Sequence, residues 1–415
     1  MYIKRACEET IRNISKTFPV LLVIGPRQAG RSTVLQHLAD KNRTIVTLDD
    51  LAIRNLAKTD PAMFLQRYQP PILIDEIQYA PELLPYIKMS IDQSKHNGDF
   101  WLTGSQAFHL MKNVSESLAG RVGIVNLLGL STNEIKKNDF EVFDNHPKVL
   151  LEKIKRRKPM LSNEVFQRIW KGSMPRLYDN MDVDRELFYS GYLTTYIQRD
   201  IKELTQVADE LQFMKFMIAV AARTARPLIY QEIADEVEIS VPTVKRWISI
   251  LVSSHIIALV EPFHNHRLKR MVKMPLIHFL DTGLCAFLLK WNTPEVLESG
   301  AMAGQFFESY VFSEIYKSYL NQGKIPPVYY YRDKQKKEID LLIEANNMVY
   351  PLEIKKSADP GNQAIRNFHV LEPLESDAEK YSDLKTNIGY GSVICMANDL
   401  LPIDQKNWIV PVWLI

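Results

Sequence analysis

The feature that most constrains the fold is a glycine-containing loop near the start of the chain, between an apolar run and a helical pattern. The loop reads GPRQAGRST at residues 25–33, after VLLVIG at residues 20–25 and before the helical pattern STVLQHLAD. Gly25 and Gly30 allow the tight backbone turn that this connection needs. A buried strand that leads directly into a helix is the first part of a parallel strand–helix–strand unit, so the sequence predicts an α/β domain.

Short β-branched runs and helical patterns alternate from the start of the chain to residue 130. A parallel sheet with crossover helices gives this alternation, because its strands are buried on both faces and each parallel connection needs a helix. The predicted strands are VLLVIG (20–25), RTIVTLD (43–49), PILIDE (71–76), FWLTGS (100–105) and VGIVNLLGL (122–130).

Length and composition limit the rest of the architecture. A chain of 415 residues is long enough for about two to four domains, and we place them at residues 1–160, 161–285 and 286–415. Residues 133–162 are rich in Lys and Arg and predict a linker or a peripheral insertion. Because 51 Lys and Arg against 49 Asp and Glu give a net charge of +2, any nucleic-acid surface is restricted to a local patch.

Cysteine use and apolar runs indicate the compartment. Cys7, Cys285 and Cys395 lie far apart in the sequence, which is typical of a reducing environment and not of a disulfide framework. The N-terminal stretch has no apolar core of a signal peptide, and no run approaches the roughly 18 apolar residues of a membrane span. We therefore expect a cytoplasmic protein without a membrane partner.

The loop at residues 25–33 follows the phosphate-binding pattern GxxxxGK[ST] at all but one position. In such a loop the backbone N–H groups and the helix N-terminus converge on a triphosphate, and Ser32 supplies a hydroxyl to Mg²⁺. Arg31 stands where the pattern has lysine, and its planar guanidinium cannot act as the same compact charge, so we expect ATP binding with slowed hydrolysis. A strand-to-helix turn without a ligand is the alternative. The candidate nucleotide contacts are Gly25, Pro26, Arg27, Gln28, Ala29, Gly30, Arg31, Ser32 and Thr33.

Polar residues at the ends of two later strands support a nucleotide site. Asp75 and Glu76 follow the apolar run PPILI, where the first carboxylate can hold Mg²⁺ through water and the second can orient or deprotonate an attacking water. Thr103 and Ser105 end the next strand, at the sheet edge where α/β folds bind ligands, and are candidates for sensing a γ-phosphate. A turn that merely ends the strand is the alternative for both hydroxyls.

Arg121 precedes the fifth predicted strand, in the string SLAGRV. Oligomeric ATPases present an arginine from this place to the γ-phosphate of a neighbouring subunit. We therefore predict a catalytic role for Arg121 in a homo-oligomer, for example a ring. A surface arginine without a catalytic role is the alternative.

Residues 227–260 have the pattern of two helices joined by a short turn. Ser240 is a suitable N-cap for the second helix, and Pro242 fits its first turn because its missing N–H costs nothing there. The pattern predicts a winged helix, with basic residues on the second helix and in the segment RLKRMVK directed toward DNA. A winged helix that is structural or binds protein is the alternative. The candidate DNA contacts are Lys245, Arg246, Arg267, Lys269 and Arg270.

The last region carries two acids and a lysine at the spacing of a D…ExK pattern. Asp340 lies in KKEIDLLIE, and Glu353 and Lys355 lie on the next predicted strand, where they share one face while Ile354 points into the core. Asp340 and Glu353 can hold a divalent cation, and Lys355 can polarise or deprotonate a water beside it. Glu308, on a preceding helix, is a further candidate acid. The alternatives are a solvated strand face and a fold of this type that only binds its ligand.

These strings together resemble those of prokaryotic AAA-type ATP-binding proteins with a poorly characterised C-terminal domain. The resemblance extends over nearly the whole chain and includes GPRQAGRST, PPILIDEIQYAPELLP, LTGSQAFHLMKNVSESLAGRV, IWKGSMPRL, FLDTGL and KEIDLLIE. It implies an AAA-type P-loop core with ATP and Mg²⁺ as cofactors, in a family that normally has lysine at the position of Arg31. The D…ExK region resembles restriction-endonuclease-like folds.

The predicted architecture is α/β, with a P-loop ATPase core, a helical and winged-helix middle domain and a restriction-endonuclease-like C-terminal domain. This arrangement favours ATP-dependent DNA binding and processing, with metal-dependent cleavage in the last domain. The alternative function is a nucleotide-controlled switch that contacts protein or DNA and whose last domain does not cut.

Overall fold

The structure is a computed structural model of the chain. Two β-sheets organise the described residues, one near the N-terminus and one formed by later parts of the chain. Among these residues no helix combines the length and the apolar character that crossing a bilayer requires. The residues that the structure describes are 2–104, 114, 116–179, 183–196, 210–263, 274–333, 335, 337–371 and 387–415.

Strands and helices alternate in the N-terminal region. The strands are β1 (Val20–Ile24), β2 (Thr44–Thr47), β3 (Ile72–Asp75), β4 (Phe100–Gly104) and β5 (Val122–Asn126). The helices are α1 (Glu8–Thr17), α2 (Arg31–Leu38), α3 (Leu51–Thr59), α4 (Pro61–Arg67) and α5 (Leu83–Ser94). All strand pairs are parallel, in the order β2-β3-β4-β1-β5. This confirms the predicted parallel sheet, in which apolar clusters on both faces bury β1 completely.

The Lys- and Arg-rich stretch after the first sheet is folded, unlike the linker or peripheral insertion that its composition predicts. It contains α6 (Thr132–Lys136) and α7 (Pro147–Arg156). Lys153 is buried and donates to the carbonyl oxygen of Leu414 at 3.3 Å, and Arg157 donates to the same oxygen at 2.8 Å. These two buried cations anchor the stretch to Leu414, while its other Lys and Arg side chains are exposed.

The remaining elements form the middle and last regions. The helices are α8 (Ser162–Lys171), α9 (Arg176–Asp179), α10 (Arg185–Thr195), α11 (Glu210–Ala221), α12 (Tyr230–Val237), α13 (Val241–Ser253), α14 (Thr282–Leu288), α15 (Pro294–Ser299) and α16 (Ala303–Asn321). The strands are β6 (Arg226–Pro227), β7 (Ile257–Pro262), β8 (Leu276–Phe279), β9 (Val328–Arg332), β10 (Glu338–Ala345), β11 (Met348–Lys355), β12 (Asn387–Ile388), β13 (Gly391–Cys395), β14 (Leu401–Pro402) and β15 (Asn407–Pro411).

The second sheet runs through the middle and last regions without a break. Its strand order is β14-β15-β13-β11-β10-β9-β7-β8-β6, with β12 beside β11. The two regions meet where β7 pairs in parallel with β9, beginning at Glu261. The main apolar cluster likewise combines residues from both regions, for example Trp247 and Phe312. Residues 161–285 and 286–415 therefore share one sheet and one core.

Candidate functional site

The loop between β1 and α2 depends on its glycines. A Cβ atom on Gly25 would lie 2.0 Å from the carbonyl oxygen of Leu127, a distance that no side chain tolerates. Gly30 has a φ of 90° and caps α2, and Gln28 also lies in the left-handed region, with a φ of 59°. The backbone of residues 25–30 thus bends around the N-terminus of α2, as a phosphate-binding loop requires.

Arg31, the residue that departs from the pattern, is bound within the loop. Its side chain is 6% exposed, and its Nη2 lies 3.6 Å from the carboxylate of Glu76. Its Nη1 donates to the carbonyl oxygen of Gly25 at 2.8 Å and also to that of Gly104, at the end of β4. The guanidinium therefore binds carbonyl oxygens at the end of the sheet. In a phosphate-binding loop, by contrast, the cation at this position is directed at a phosphate.

Asp75, at the end of β3, is joined to the loop and to β4. Ser32 Oγ donates to Asp75 Oδ1 at 2.7 Å, and Thr103 Oγ1 donates to the same oxygen. The Thr103 hydroxyl also accepts the backbone N–H of Glu76 at 3.1 Å. A serine hydroxyl and a carboxylate are the hard oxygen donors that Mg²⁺ takes, so Ser32 and Asp75 fit this cation. Thr103 fixes the acidic pair, and Ser105 lies outside the described residues.

Glu76, the candidate base, has an unusual backbone conformation. Its φ of 58° lies in the left-handed region, which is uncommon outside glycine and concentrates at functional sites. Gln78 Nε2 donates to Glu76 Oε2 at 2.5 Å, while Oε1 faces Arg31. The carboxylate is therefore held between an amide and a guanidinium, beside the loop.

An arginine that no motif contains holds the loop in place. Arg5 precedes α1 and is 4% exposed. Its Nη1 donates to the carbonyl oxygen of Ala29 in the loop at 2.7 Å, and its Nη2 donates to that of Leu128 at 2.7 Å. Its Nε donates to Glu134 Oε1 at 2.9 Å. Burial lowers the pKa of Arg5, but the charges of Glu134 and Cys7 and the hydrogen bond to Glu134 together outweigh burial and the pKa is raised, so the guanidinium stays charged.

Arg121 lies at the edge of the sheet opposite the loop. It precedes β5, which starts level with Val20 at the beginning of β1, whereas the loop follows the other end of β1. Its guanidinium makes a bidentate ion pair with Asp92 of α5, with Nε–Oδ1 and Nη2–Oδ2 distances of 2.8 and 3.3 Å. Because about 16 Å of strand separates the two edges, Arg121 cannot reach the loop of its own chain.

The middle region touches the loop at His255, between α13 and β7. His255 and Pro26 line one small cavity together with Gly129 and Ser173. Burial, followed by the positive charge of Arg31, lowers the pKa of His255 to about 4, so the imidazole is neutral at pH 7. The start of the β7–β8 pair therefore lies directly against the loop.

Helices α12 and α13 are the two helices that the sequence predicts at residues 227–260. Ser240 Oγ accepts the N–H of Thr243 at 3.2 Å and caps α13, with Pro242 in its first turn. The antiparallel strands β7 and β8 follow, and β6 pairs with β8. The candidate DNA contacts on α13, Lys245 and Arg246, are both exposed. The candidates that lie outside the described residues are Arg267, Lys269 and Arg270.

The predicted acids and lysine of the last region come together on two neighbouring strands. Asp340 lies on β10, and Glu353 and Lys355 lie on β11. Lys355 Nζ is 2.5 Å from Glu353 Oε1 and 3.8 Å from Asp340 Oδ2. The backbone N–H of Ile354 donates to Asp340 Oδ2 at 2.7 Å, while its side chain packs in the main apolar cluster, as predicted. We call the side chains of Asp340, Glu353 and Lys355, together with that of Glu308 on α16, the acid–lysine cluster.

The pKa values show that the carboxylates of this cluster influence one another. Burial, and then the charges of Asp340 and Glu338, raise the pKa of Glu308 well above its ordinary value. Burial and the charge of Asp340 raise the pKa of Glu353 to about 7. Burial lowers the pKa of Lys355, but the charges of Asp340 and Glu353 outweigh it and the pKa is raised. Lys355 is therefore protonated at pH 7 and supplies a positive charge to the cluster.

The cluster fits a divalent cation in part. Asp340 and Glu353 offer hard oxygen donors, and Glu353 Oε2 is buried without a hydrogen-bond partner in the described part of the chain. The described residues contain no group of three or more Asp, Glu, His or Cys side chains already arranged as a metal site. A cation between the two carboxylates would therefore have to displace the Lys355 ammonium from Glu353.

Known families match successive parts of the chain. Residues 17–136 match the AAA domain, residues 162–295 a domain of unknown function (DUF8612) and residues 303–415 another (DUF4143). The chain is also similar to two uncharacterized proteins, Mb2031c of Mycobacterium bovis and Rv2008c of Mycobacterium tuberculosis. Each is 26% identical over 360 residues, which cover 86% of this chain and 75% of the relative.

Solved structures are more distantly similar. The Walker-type ATPase of Pyrococcus abyssi is 15% identical with a TM-score of 0.43, over 68% of this chain and 94% of that chain. A DNA replication initiation factor is 11% identical with a TM-score of 0.24, over 69% and 91%. The N-terminal region thus matches the AAA domain and has the backbone of a phosphate-binding loop, and a C-terminal domain of unknown function accompanies it.

Proposed function

We propose that the protein is an ATP-dependent DNA-processing ATPase whose last region cleaves DNA in a metal-dependent reaction. The observation that carries the proposal is the acid–lysine cluster. Carboxylates from two strands and a helix surround one protonated lysine, and one buried oxygen of Glu353 has no partner among the described residues. Buried like charges repel one another unless a cation compensates them, and groups perturbed in this way are concentrated at functional sites.

The nucleotide part of the proposal is supported by the AAA domain match and by the loop. Residues 25–33 would hold the triphosphate, Ser32 and Asp75 would hold Mg²⁺, and Glu76 would orient the water. Bound Mg²⁺–ATP supplies a γ-phosphoryl group that water can attack. To face that phosphate, Arg31 has to release the carbonyl oxygens that it now binds.

The middle region supplies the proposed DNA contact. Helices α12 and α13 would form a winged helix together with the antiparallel pair β7 and β8 and with β6 beside β8. Lys245 and Arg246 are exposed on α13, where they can bind phosphates.

The last region supplies the proposed cleavage. The spacing of Asp340, Glu353 and Lys355 resembles the D…ExK pattern of restriction-endonuclease-like folds, and the three residues lie on neighbouring strands. A divalent cation held by Asp340 and Glu353 would activate a water and stabilise charge on the phosphate oxygens. Water would add to phosphorus as the bond to the leaving sugar oxygen breaks, with the proton of the water passing to solvent and the sugar oxygen taking a proton from solvent. Lys355, released from Glu353, would donate to the phosphate, because it is protonated at pH 7.

One observation favours a second function, a nucleotide-controlled switch. Arg31 binds the loop's own sheet edge and faces Glu76, the candidate base, which disfavours rapid hydrolysis. His255 links the loop to the helix–turn–helix region. In this second function nucleotide binding alone changes a DNA or protein contact, and the last region does not cut.

A cleavage assay separates the two functions. The full chain is incubated with linear and supercoiled DNA and Mn²⁺ or Mg²⁺, with and without ATP. Cation-dependent cleavage that Asp340→Asn removes, and that Glu344→Gln on the same strand leaves intact, supports the DNA-processing function. DNA binding that responds to ATP, without cleavage under any cation, contradicts it and favours the switch.

We also propose that the protein acts as a homo-oligomer in which Arg121 serves the loop of a neighbouring copy. The register of β1 and β5 keeps Arg121 away from its own loop. Arg121→Ala and Glu76→Gln chains, each inactive in ATP hydrolysis, should recover part of the activity when mixed, because some interfaces pair an intact Arg121 with an intact Glu76. Steady-state phosphate release from a series of mixtures measures this. Mixtures that stay inactive at every ratio would remove the support for an arginine supplied in trans.

A further inference from the structure

A buried histidine outside every predicted motif points at the acid–lysine cluster. His278 lies on β8, is fully buried and stacks on Phe312 of α16, with 4.4 Å between the ring centroids. Its Nε2 has no hydrogen-bond partner among the described residues and lies 4.0 Å from Glu308 Oε1. A buried polar atom without a partner costs free energy, so its position beside a carboxyl group requires an explanation.

The other ring nitrogen is held by a chain of buried hydroxyls. The backbone N–H of Phe279 donates to Thr224 Oγ1 at 3.1 Å. Thr224 Oγ1 lies 2.8 Å from Ser309 Oγ, and Ser309 Oγ lies 3.2 Å from His278 Nδ1. Thr224 and Ser309 are 0 and 1% exposed, so water does not compete for these contacts.

One direction of donation along this chain ends at the histidine. A backbone N–H only donates, so Thr224 accepts from Phe279, and the Thr224 hydroxyl hydrogen is available for donation to Ser309. With Thr224 donating to Ser309, the Ser309 hydrogen can be directed at His278 Nδ1, which then accepts. Burial lowers the pKa of His278 to about 3, so the ring is neutral at pH 7, and in this arrangement its one proton is on Nε2, toward Glu308.

We propose that His278 is a positioning residue that holds the Glu308 carboxyl group in the acid–lysine cluster through its Nε2–H. The distance of 4.0 Å between His278 Nε2 and Glu308 Oε1 is longer than a hydrogen bond, and a shift of about 1 Å would bring the two atoms within hydrogen-bond distance. The inference rests on the proposed metal-dependent function of the cluster. β8 pairs with β6 and β7 of the middle region. The cluster would then be completed by a residue of that region.

Two substitutions at His278 form a matched pair. Glutamine places an amide nitrogen near the position of the imidazole Nε2, whereas asparagine places it near Nδ1, out of reach of Glu308. The measurements are Mn²⁺ binding to the full, nucleotide-free chain by calorimetry, with Asp340→Asn as the reference without cluster binding, and the melting temperature of each variant. We expect His278→Asn to raise the Kd for Mn²⁺ roughly tenfold and His278→Gln to stay within about threefold, as outer-shell partners of a cation do.

The tautomer provides a readout that does not depend on the cation. Nitrogen-15 NMR of the full chain with labelled histidine should show His278 neutral with its proton on Nε2, and Ser309→Ala should weaken that preference. Should His278→Asn fail to fold, Ser309→Ala keeps the histidine and should still weaken Mn²⁺ binding.

A proton on Nδ1 in the wild type, or equal Mn²⁺ affinities for the asparagine and glutamine variants, would overturn the role of His278 while the metal site stands. Equal Mn²⁺ binding by the wild type and Asp340→Asn would overturn the metal site and the role of His278 together. The two failures are therefore distinguishable.

Discussion

The nucleotide loop and the acid–lysine cluster are built in opposite ways. The loop is one continuous stretch, residues 25–33, to which the ends of β3 and β4 add polar groups. The cluster collects its side chains from α16, β10 and β11, and β8 contributes the nearby His278. The loop places one guanidinium among carbonyl oxygens, whereas the cluster places carboxyl groups around one ammonium.

The loop and the cluster also differ in how far their charged groups are compensated by partners within the protein. Arg31 already has the carbonyl oxygens of Gly25 and Gly104 and the carboxylate of Glu76 as partners, so the loop is electrostatically satisfied without a ligand. The cluster has an excess of negative charge, which raises the pKa of Glu353 to about 7 after burial. A ligand at the loop therefore has to displace an internal partner, while a cation at the cluster supplies charge that the cluster lacks.

The largest expected effect tests whether the two regions are independent. Asp340→Asn should abolish DNA cleavage and leave ATP affinity unchanged, because the loop belongs to the other sheet. Asp75→Asn should abolish Mg²⁺-dependent hydrolysis of ATP and leave Mn²⁺ binding at the cluster unchanged, because Ser32 and Asp75 are the candidate ligands at the loop. Calorimetry with ATP and with Mn²⁺ on both variants checks this. A variant that binds neither ATP nor Mn²⁺ would show that the two regions are one cooperative unit.

The second effect concerns Arg31. Arg31→Lys should raise the rate of ATP hydrolysis roughly tenfold, because a compact ammonium can reach the phosphates without binding the carbonyl oxygens of the sheet edge. Steady-state phosphate release at saturating ATP measures the rate. Arg12→Lys, an exposed arginine on α1 outside the loop, is the matched control. An arginine enzyme that turns over as fast as the lysine variant would contradict the idea that Arg31 restrains the loop.

The comparison also explains which features the sequence reveals. The loop, Asp75 and the capped helix α13 are local patterns, in which a few neighbouring residues fix the backbone, and all are found where they are predicted. The predicted fifth strand, 122–130, extends past its observed end at Asn126, because the apolar residues after it pack as a loop against other elements. Apolar character alone does not distinguish these two environments.

Features that depend on distant residues are not visible in the sequence. Arg5 contacts Ala29 and Leu128 across the first domain, and nothing in its neighbourhood indicates this. The Lys- and Arg-rich stretch looks like a solvated linker, yet Lys153 binds the carbonyl oxygen of Leu414. The pairing of β7 with β9, which unites the middle and last regions, likewise depends on tertiary packing and not on any motif.

The third effect tests the exposed basic residues of the middle region. The double variant Lys245→Ala, Arg246→Ala should lower the slope of log affinity for DNA against log salt by about two, one for each lost phosphate contact. Lys41→Ala, Lys58→Ala removes two exposed lysines from the ATPase domain and should leave the slope unchanged. Binding measured at several salt concentrations decides it. The same slope in the wild type and in the α13 variant would mean that this helix faces protein instead of DNA.

The smallest effect is a pH dependence of opposite sign in the two regions. His255 has a pKa lowered from 6.5 to about 4 by burial and then by the charge of Arg31, so the stability that it contributes is complete above pH 6.5 and is lost as the pH falls toward 4. Glu353 has a pKa raised from 4.5 to about 7 by burial and then by Asp340, so its contribution is complete below pH 4.5 and is lost as the pH rises through 7. When the pH falls from 7 to 5, the free energy of unfolding of His255→Gln should therefore rise by about 1–2 kcal/mol relative to the wild type. That of Glu353→Gln should fall by a comparable amount relative to the wild type. Denaturant unfolding at the two pH values measures both differences, with His278 unchanged in each protein. Differences of the same sign would show that the two regions do not have the opposite charge balance that their contacts indicate.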